Sequence, residues 1–252
     1  MTTAFKTSLL AGLALCASAT TALAGPTETY AEVLQRGLVD GADDILLFDY
    51  AAAAQNGDHA IIEAFVAEQA EATPSQMSEA EALAYWGNLY NAITLDVILD
   101  EYPVKSIRKI GGLRGPWDRD VVTVEGETLS LNDIEHVKMR EQYPSPYIHY
   151  MVNCASIGCP NVQRELWTAE TLEADQKAAA AEYINSDRGL RLDGDEFSMS
   201  KIYKWYKEDF GTRNELRDHL ATYATGARLE ALKSGVRIRG SHYDWDLNEV
   251  AK

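Results

Sequence analysis

The sequence predicts an α+β fold that is helix-rich, with a small antiparallel sheet and an acidic N-terminal helical layer. Three observations carry that prediction. Apolar residues recur at helical spacing through the first hundred positions, interrupted at Gly41 and Gly57. Two pairs of short extended segments flank Glu125-Gly126-Glu127 and Asp193-Gly194-Asp195, the composition of tight hairpin turns. Between them, one long segment is apolar on both sides of a helical wheel, as expected of a helix at the centre of a core.

Taken in order, residues 27–38 and 59–72 read as acidic amphipathic helices. From residue 25 to residue 104 there are 15 acids and a single base, Arg36. The central helix begins at Ser78, which forms a capping box with Glu81, and runs to about residue 101, ahead of Pro103. Trp86, Tyr90, Ile93 and Val97 make one stripe; Leu95, Ile98 and Leu99 lie opposite, together with Asn88 and Asn91. Buried amides must find partners. Three residues apart, these two either tie the helix to a neighbouring loop or meet a ligand.

Lys105, Arg108, Lys109 and Arg114 follow, threaded with Gly111, Gly112 and Gly115. This basic stretch suits an anionic ligand or the protein's own acidic helices, and charge balance favours the helices. A hairpin over 121–129 leads to a short helix capped by Ser130 with Asp133, carrying Glu135, His136 and Arg140 and ending near Pro144. Residues 147–153 read as a strand and 154–160 as a loop. The remainder reads as a helix over 168–185, a hairpin over 189–199, helices over 201–210, 214–223 and 227–233, and a strand over 236–239. Tyr203, Trp205 and Tyr206 are expected in the core. No repeat or low-complexity linker divides residues 25–252, which are expected to form a single domain with its core at about 45–248.

The first 24 residues have the layout of a secretory signal: Lys6, an apolar run over 9–17, and Ala22-Leu23-Ala24 before Gly25. Leu15 is too large for a lipidation site at Cys16. Cleavage after Ala24 would leave an exported protein, periplasmic or secreted. The whole chain carries a net charge of −16, which disfavours gripping nucleic acid or an anionic membrane through a basic surface. No later segment reaches 18 uninterrupted apolar residues, and no membrane span is expected.

Cleavage removes Cys16 and leaves Cys154 and Cys159, an even pair that an oxidising compartment would join as a disulfide. These cysteines sit in the chain's densest chemical cluster. As a nucleophile, Cys154 needs a base, His149 or His136, and an orienting group, Glu135 or Asn153, with backbone N–H donors near Gly158 for an oxyanion. A strand running through His149 to Cys154 would turn the two to opposite faces, so a bend after Asn153 is required. The alternatives are a structural disulfide with hydrogen-bonded histidines, thiol–disulfide exchange without the usual Cys-x-x-Cys spacing, and a Cys/His metal site without zinc-like spacing. No cofactor and no metal are assigned. His59, His219 and His242 have no supporting context, and there is no phosphate loop, dinucleotide fingerprint or metalloprotease helix motif.

Five ordered blocks carry a resemblance: Trp86-x-Asn88-x-Tyr90-Asn91; Tyr102-Pro103-Val104; Leu131-x-x-Ile134-Glu135-His136-x-x-x-Arg140; His149 through Cys159-Pro160; and Tyr243-Asp244-Trp245-x-Leu247-Asn248. Together, over roughly residues 45–248, the chain resembles the domain-of-unknown-function 547 family. The resemblance implies no defined activity. The family's members include exported bacterial proteins and intracellular eukaryotic multidomain proteins, and the latter weaken a purely disulfide reading of the block. Two expectations follow. One is an exported hydrolase or acyl transferase using Cys154, His149, His136 and Glu135, with Asn88, Asn91, Asn153 and Arg140 contacting a small-molecule or peptide ligand. The other is a non-catalytic envelope binding module stapled by a Cys154–Cys159 bridge.

Overall fold

The structure, a computed structural model, describes Met1, residues 24–112 and residues 114–250. The export signal expected over 1–24 lies outside the described residues, its two end positions aside.

Helix α1 (Pro26–Gly37) opens on a proline, whose fixed φ suits a first helical turn, and packs on α3 (Asp58–Ala70) with Tyr30 stacked on Phe65 at 4.3 Å. Between them, β1 (Leu38–Asp40) and β2 (Leu46–Phe48) form an antiparallel ribbon, and α2 (Tyr50–Asn56) follows Asp49, whose carboxylate accepts from the Ala52 N–H at 2.9 Å. The sequence does not announce these three short pieces. Gly57 ends α2 at φ 91°, a conformation costly for any residue with a Cβ. Arg36, the lone base of this layer, is spent on the buried Asp58.

Helix α4 (Glu79–Asp100) starts at the Ser78/Glu81 capping box, as predicted, and 16 of its 22 residues are buried. It is therefore the central helix, packed by α3 on one side and by the helix over Asp133–Glu141 on another. Each large apolar side chain it buries contributes roughly 1.5–3 kcal/mol. The hairpin of β3 (Val122–Val124) and β4 (Glu127–Leu129) forms as expected, and Ser130 and Asp133 cap the next helix reciprocally. That helix, Asp133–Glu141, has π rather than α spacing.

Residues 147–153 are not a strand. Ile148–Met151 form a single helical turn, α5. The reason lies in α4: the Asn91 amide donates to the Met151 carbonyl and accepts from the Asn153 N–H, both at 2.9 Å, taking the backbone groups that a sheet neighbour would use. Helix α6 (Leu172–Asn185) begins four residues later than predicted, after a turn in which the Thr168 and Thr171 hydroxyls lie 2.9 Å apart. Strands β5 (Leu190–Asp193) and β6 (Glu196–Ser200) form the second hairpin, and β7 (Arg237–His242) joins β6 in parallel, making this small sheet mixed. Only Ile202–Trp205, α7, is α-helical in the predicted 201–210 helix. Helices α8 (Arg213–Tyr223), opened by a second capping box of Thr212 with Glu215, and α9 (Gly226–Lys233) complete the chain's helices among the described residues.

Among the described residues the basic stretch meets the acidic layer through a single ion pair and is otherwise held by the closing segment. The Lys105 carbonyl accepts from the Leu247 N–H at 2.9 Å, the Ser106 hydroxyl donates to the Trp245 carbonyl at 2.5 Å, and the Arg108 guanidinium lies 5.2 Å from the Trp245 ring. Among the described residues its ion pair with the N-terminal half is Arg119 with Glu101, at 3.9 Å. Exposed pairs gain about 0–1 kcal/mol, too little to outweigh backbone and aromatic contacts with the closing segment. No helix of the described residues is long and apolar enough to cross a membrane.

Candidate functional site: an aromatic cleft over two thiols

The 154–160 loop is built by its neighbours. Asn153 turns both ends of its amide to the loop, donating to the Pro160 carbonyl and accepting from the Ala155 N–H, each at 2.6 Å. Ala155 is thereby held at φ 54°. The closing segment, 243–248, then wraps the loop: the Ile157 and Gly158 N–H groups donate to the Asp246 and Asp244 carbonyls, both at 2.9 Å. At residue 158 only glycine fits, since a Cβ would lie 2.8 Å from the Asp244 nitrogen.

This wrapping brings the two sulfurs together. No bond joins Cys154 and Cys159, whose sulfurs lie 2.6 Å apart. The Tyr243 hydroxyl lies 3.0 Å from each sulfur and 3.0 Å from the Ser156 hydroxyl. Ser156 Oγ lies 3.2 Å from Cys154 Sγ and donates to Cys159 Sγ at 3.6 Å. The Cys154 backbone N–H also donates to Cys159, at 3.0 Å. Burial works against charge on Cys159, yet the donors from Cys154, Tyr243 and Ser156 outweigh it and bring this thiol down to about 7. Its hydrogen bond to Cys159, and then burial, push the Cys154 thiol well above its ordinary value. Burial, and then the two sulfurs, keep the Tyr243 hydroxyl protonated. When the pair loses a proton, these donors favour the charge on Cys159 over Cys154. Behind the loop, Arg188 donates to the Cys159 carbonyl at 2.6 Å.

The facing wall comes from the π-helix and α5. His149 is buried, stacked on Tyr206 at 4.0 Å, with Nε2 2.6 Å from Asp209 and Nδ1 4.0 Å from Glu135. Arg140 grips the same Asp209 through Nε at 2.6 Å and Nη2 at 3.1 Å, and its Nη1 donates to His136 Nδ1 at 2.7 Å. An arginine only donates, so a neutral His136 carries its proton on Nε2. Burial pushes Asp209 up, but the hydrogen bonds from His149 and Arg140 win and hold it well below the usual carboxylate range. Between the two walls lies a cavity of about 330 Å³, lined by both cysteines, Glu135, His136 and His149, and by six aromatic rings: Tyr90, Trp117, Trp205, Tyr206, Tyr243 and Trp245.

Residues 74–184 match the family model described as "Protein of unknown function, DUF547". Through those residues the chain belongs to that family. No curated protein and no solved structure matches the chain.

The DUF547 stretch supplies the loop, α5 and the π-helix, whereas Trp205, Tyr206, Asp209 and the wrapping segment 243–248 come from beyond it. Of the residues singled out by sequence, Cys154, Cys159, Glu135, His136 and His149 share the cleft. Asn88, Asn91, Asn153 and Arg140 are not among its lining residues. Asn88 exchanges two hydrogen bonds with the Trp167 backbone, at 2.9 and 3.0 Å, and so serves the scaffold as Asn91 and Asn153 do. The oxyanion donors expected near Gly158 are taken, since the N–H groups of residues 157 to 159 are all bonded to carbonyls. Neither sulfur has an imidazole as hydrogen-bond partner among the described residues; hydroxyls of Tyr243 and Ser156 take that place. Sequence reasoning missed Asp209 and misplaced Trp205 and Tyr206, which line the cleft while Tyr203 lies in the core. Asp209 has no local signal. Tyr243 had one, its place in the last of the five blocks.

Proposed function

We propose that this protein is exported and that its cleft performs thiol–disulfide exchange, with Cys159 as the attacking thiolate and Cys154 as the resolving thiol. The carrying observation is the convergence of three donors on Cys159, with the Cys154 sulfur 2.6 Å away. The layout of residues 1–24 supports export. Acyl transfer from Cys154, the competing reading, rests on that residue sharing the cleft with Glu135, His136 and His149. It lacks a base on the sulfur, and the loop's N–H groups are spent where a developing oxyanion would need them. Exchange chemistry needs no oxyanion hole.

In the proposed step the Cys159 thiolate attacks one sulfur of a substrate disulfide. The substrate S–S bond breaks, and the leaving sulfur departs as a thiolate. Cys154 then loses its proton to that thiolate and attacks the Cys159 sulfur of the mixed disulfide, releasing the second substrate sulfur. The substrate gains two electrons and the protein ends with a Cys154–Cys159 disulfide. Six aromatic rings around the thiols favour a substrate with an apolar or aromatic group beside its disulfide.

Reaction of the reduced protein with the aromatic disulfide 5,5′-dithiobis(2-nitrobenzoate) tests this. Wild type is expected to release two equivalents of thionitrobenzoate and to finish as an internal disulfide. Cys154→Ser should release one and retain one on Cys159, visible by mass spectrometry. A wild-type protein that ends with a label on each cysteine, or a Cys159→Ser variant that attacks as fast as wild type, overturns the assignment. Formation of a stable acyl adduct on Cys154 with an activated ester would favour the acyl-transfer reading instead.

A further inference from the structure

Away from the thiol cleft, a second cavity of about 530 Å³ lies between β7 and the start of α8, and the two share no lining residue. Five cationic side chains line it: Lys204 from α7, Arg213 and Arg217 from α8, and Arg237 and Arg239 from β7. No acid does. In a chain of net charge −16 with 39 acids, so one-sided a lining is not what chance placement provides. The local balance is also unmet. Arg239 pairs with Glu196 at 3.0 Å. Arg217 is held by carbonyls, donating from Nε to Leu232 at 3.1 Å and from Nη1 to Val236 at 2.9 Å, which fixes its fork without neutralising it. Among the described residues, Lys204, Arg213 and Arg237 have no carboxylate partner. The nearby acid of α8, Glu215, is turned to its cap, accepting from the Thr212 N–H at 2.7 Å.

We propose that this groove is a binding site for a phosphate-bearing ligand. Four uncompensated cations call for a ligand of two or more negative charges, and guanidinium forks match the paired oxygens of a phosphate. The apolar Leu216 and Ile238 in the same lining, and a volume well beyond one phosphate group, leave room for the moiety that carries it. The protein's overall negative charge does not forbid this. At physiological ionic strength the field of distant acids is screened within about 8 Å, whereas the groove's own cations act at contact. Phosphate on a soluble small molecule and phosphate on a lipid headgroup offer the same chemistry, and the experiment separates them.

Full-length protein without its first 24 residues is titrated calorimetrically with sodium pyrophosphate, at low and at physiological salt. In parallel it is sedimented with phosphatidylcholine vesicles, with and without phosphatidic acid. The expected result is saturable, salt-sensitive binding in at least one arm, weakened at least about tenfold by the double change Arg213→Ala/Arg237→Ala. Both residues are exposed, so the variant should fold, and an unchanged thermal melt checks that it has. Lys109→Ala, removing an exposed cation elsewhere, should bind as wild type does. Pyrophosphate binding lost in the double variant assigns a soluble ligand; phosphatidic-acid-dependent sedimentation lost in it assigns a lipid. Binding in neither arm, or equal binding by the double variant, overturns the proposal.

Discussion

Two helical segments put polar side chains into the interior of this protein, and they put them to opposite uses. On α4, Asn88 and Asn91 spend both ends of their amides on backbone groups of residues 151, 153 and 167. On the π-helix, Glu135 and His136 line a cavity, while the charge that steadies that wall is delegated to Arg140 and Asp209. Both patterns read alike in sequence, as polar residues at helical spacing. What differs is where the polar atoms face: both ends of these amides are held by the protein's own backbone, whereas Glu135 and His136 border the cleft.

The sharpest way to break this contrast is Asn91→Leu. It strips partners from the buried Met151 carbonyl and Asn153 N–H, at about 1–3 kcal/mol each, so urea denaturation should show the largest loss of stability proposed here. A loss under about 1 kcal/mol would mean that these backbone groups find other partners. Asp209→Asn should have an intermediate effect, about 1–2 kcal/mol, because it keeps an acceptor but removes the charge between His149 and Arg140. The pH dependence carries a sign. Asp209 titrates lower in the folded protein than in the unfolded chain, so its contribution is fully present above the ordinary carboxylate range and is lost progressively as pH falls from that range to the lower value of the folded state. The variant should therefore lose part of the acid slope in a series of thermal melts, and an unchanged slope would refute the role. The smallest effect on stability is expected from Tyr243→Phe, which removes the hydroxyl lying 3.0 Å from each sulfur. Its readout is chemical: the midpoint for alkylation of Cys159, near 7 in wild type, should rise by about one unit. A midpoint that stays put would transfer Tyr243 from the cleft's chemistry to its scaffold.

Much of the fold was legible because local signals and tertiary demands agree. The Ser78/Glu81 box fixed where α4 begins, its double-sided apolar pattern fixed its central place, and the glycines at 126 and 194 marked the hairpins. The strand expected over 147–153 failed for a non-local reason: Asn91, more than 50 residues away, satisfies that backbone in place of a sheet. The π spacing of Asp133–Glu141 leaves no trace in composition. At the site, the cysteine and histidine cluster was visible in sequence, but which thiol bears the charge was not. That depends on a backbone N–H and on a tyrosine 84 positions downstream of Cys159. Charge balance was a poor guide for residues 105–119, where Arg119 with Glu101 is the ion pair to the acidic layer among the described residues and solvated cations gain little from such pairs.

The wrapping of residues 243–248 around the cysteine loop also sets an order in time. A ribosome delivers Cys159 long before Tyr243, which lies 84 positions further on in the strap with Asp244 and Asp246. Until those residues emerge, both thiols exist without their hydroxyl donor, and neither Ile157 nor Gly158 has its carbonyl partner. The chain thus completes its most reactive pair only after 84 further residues, and a copy cut short before residue 243 would keep both sulfurs while losing the groups that tell them apart.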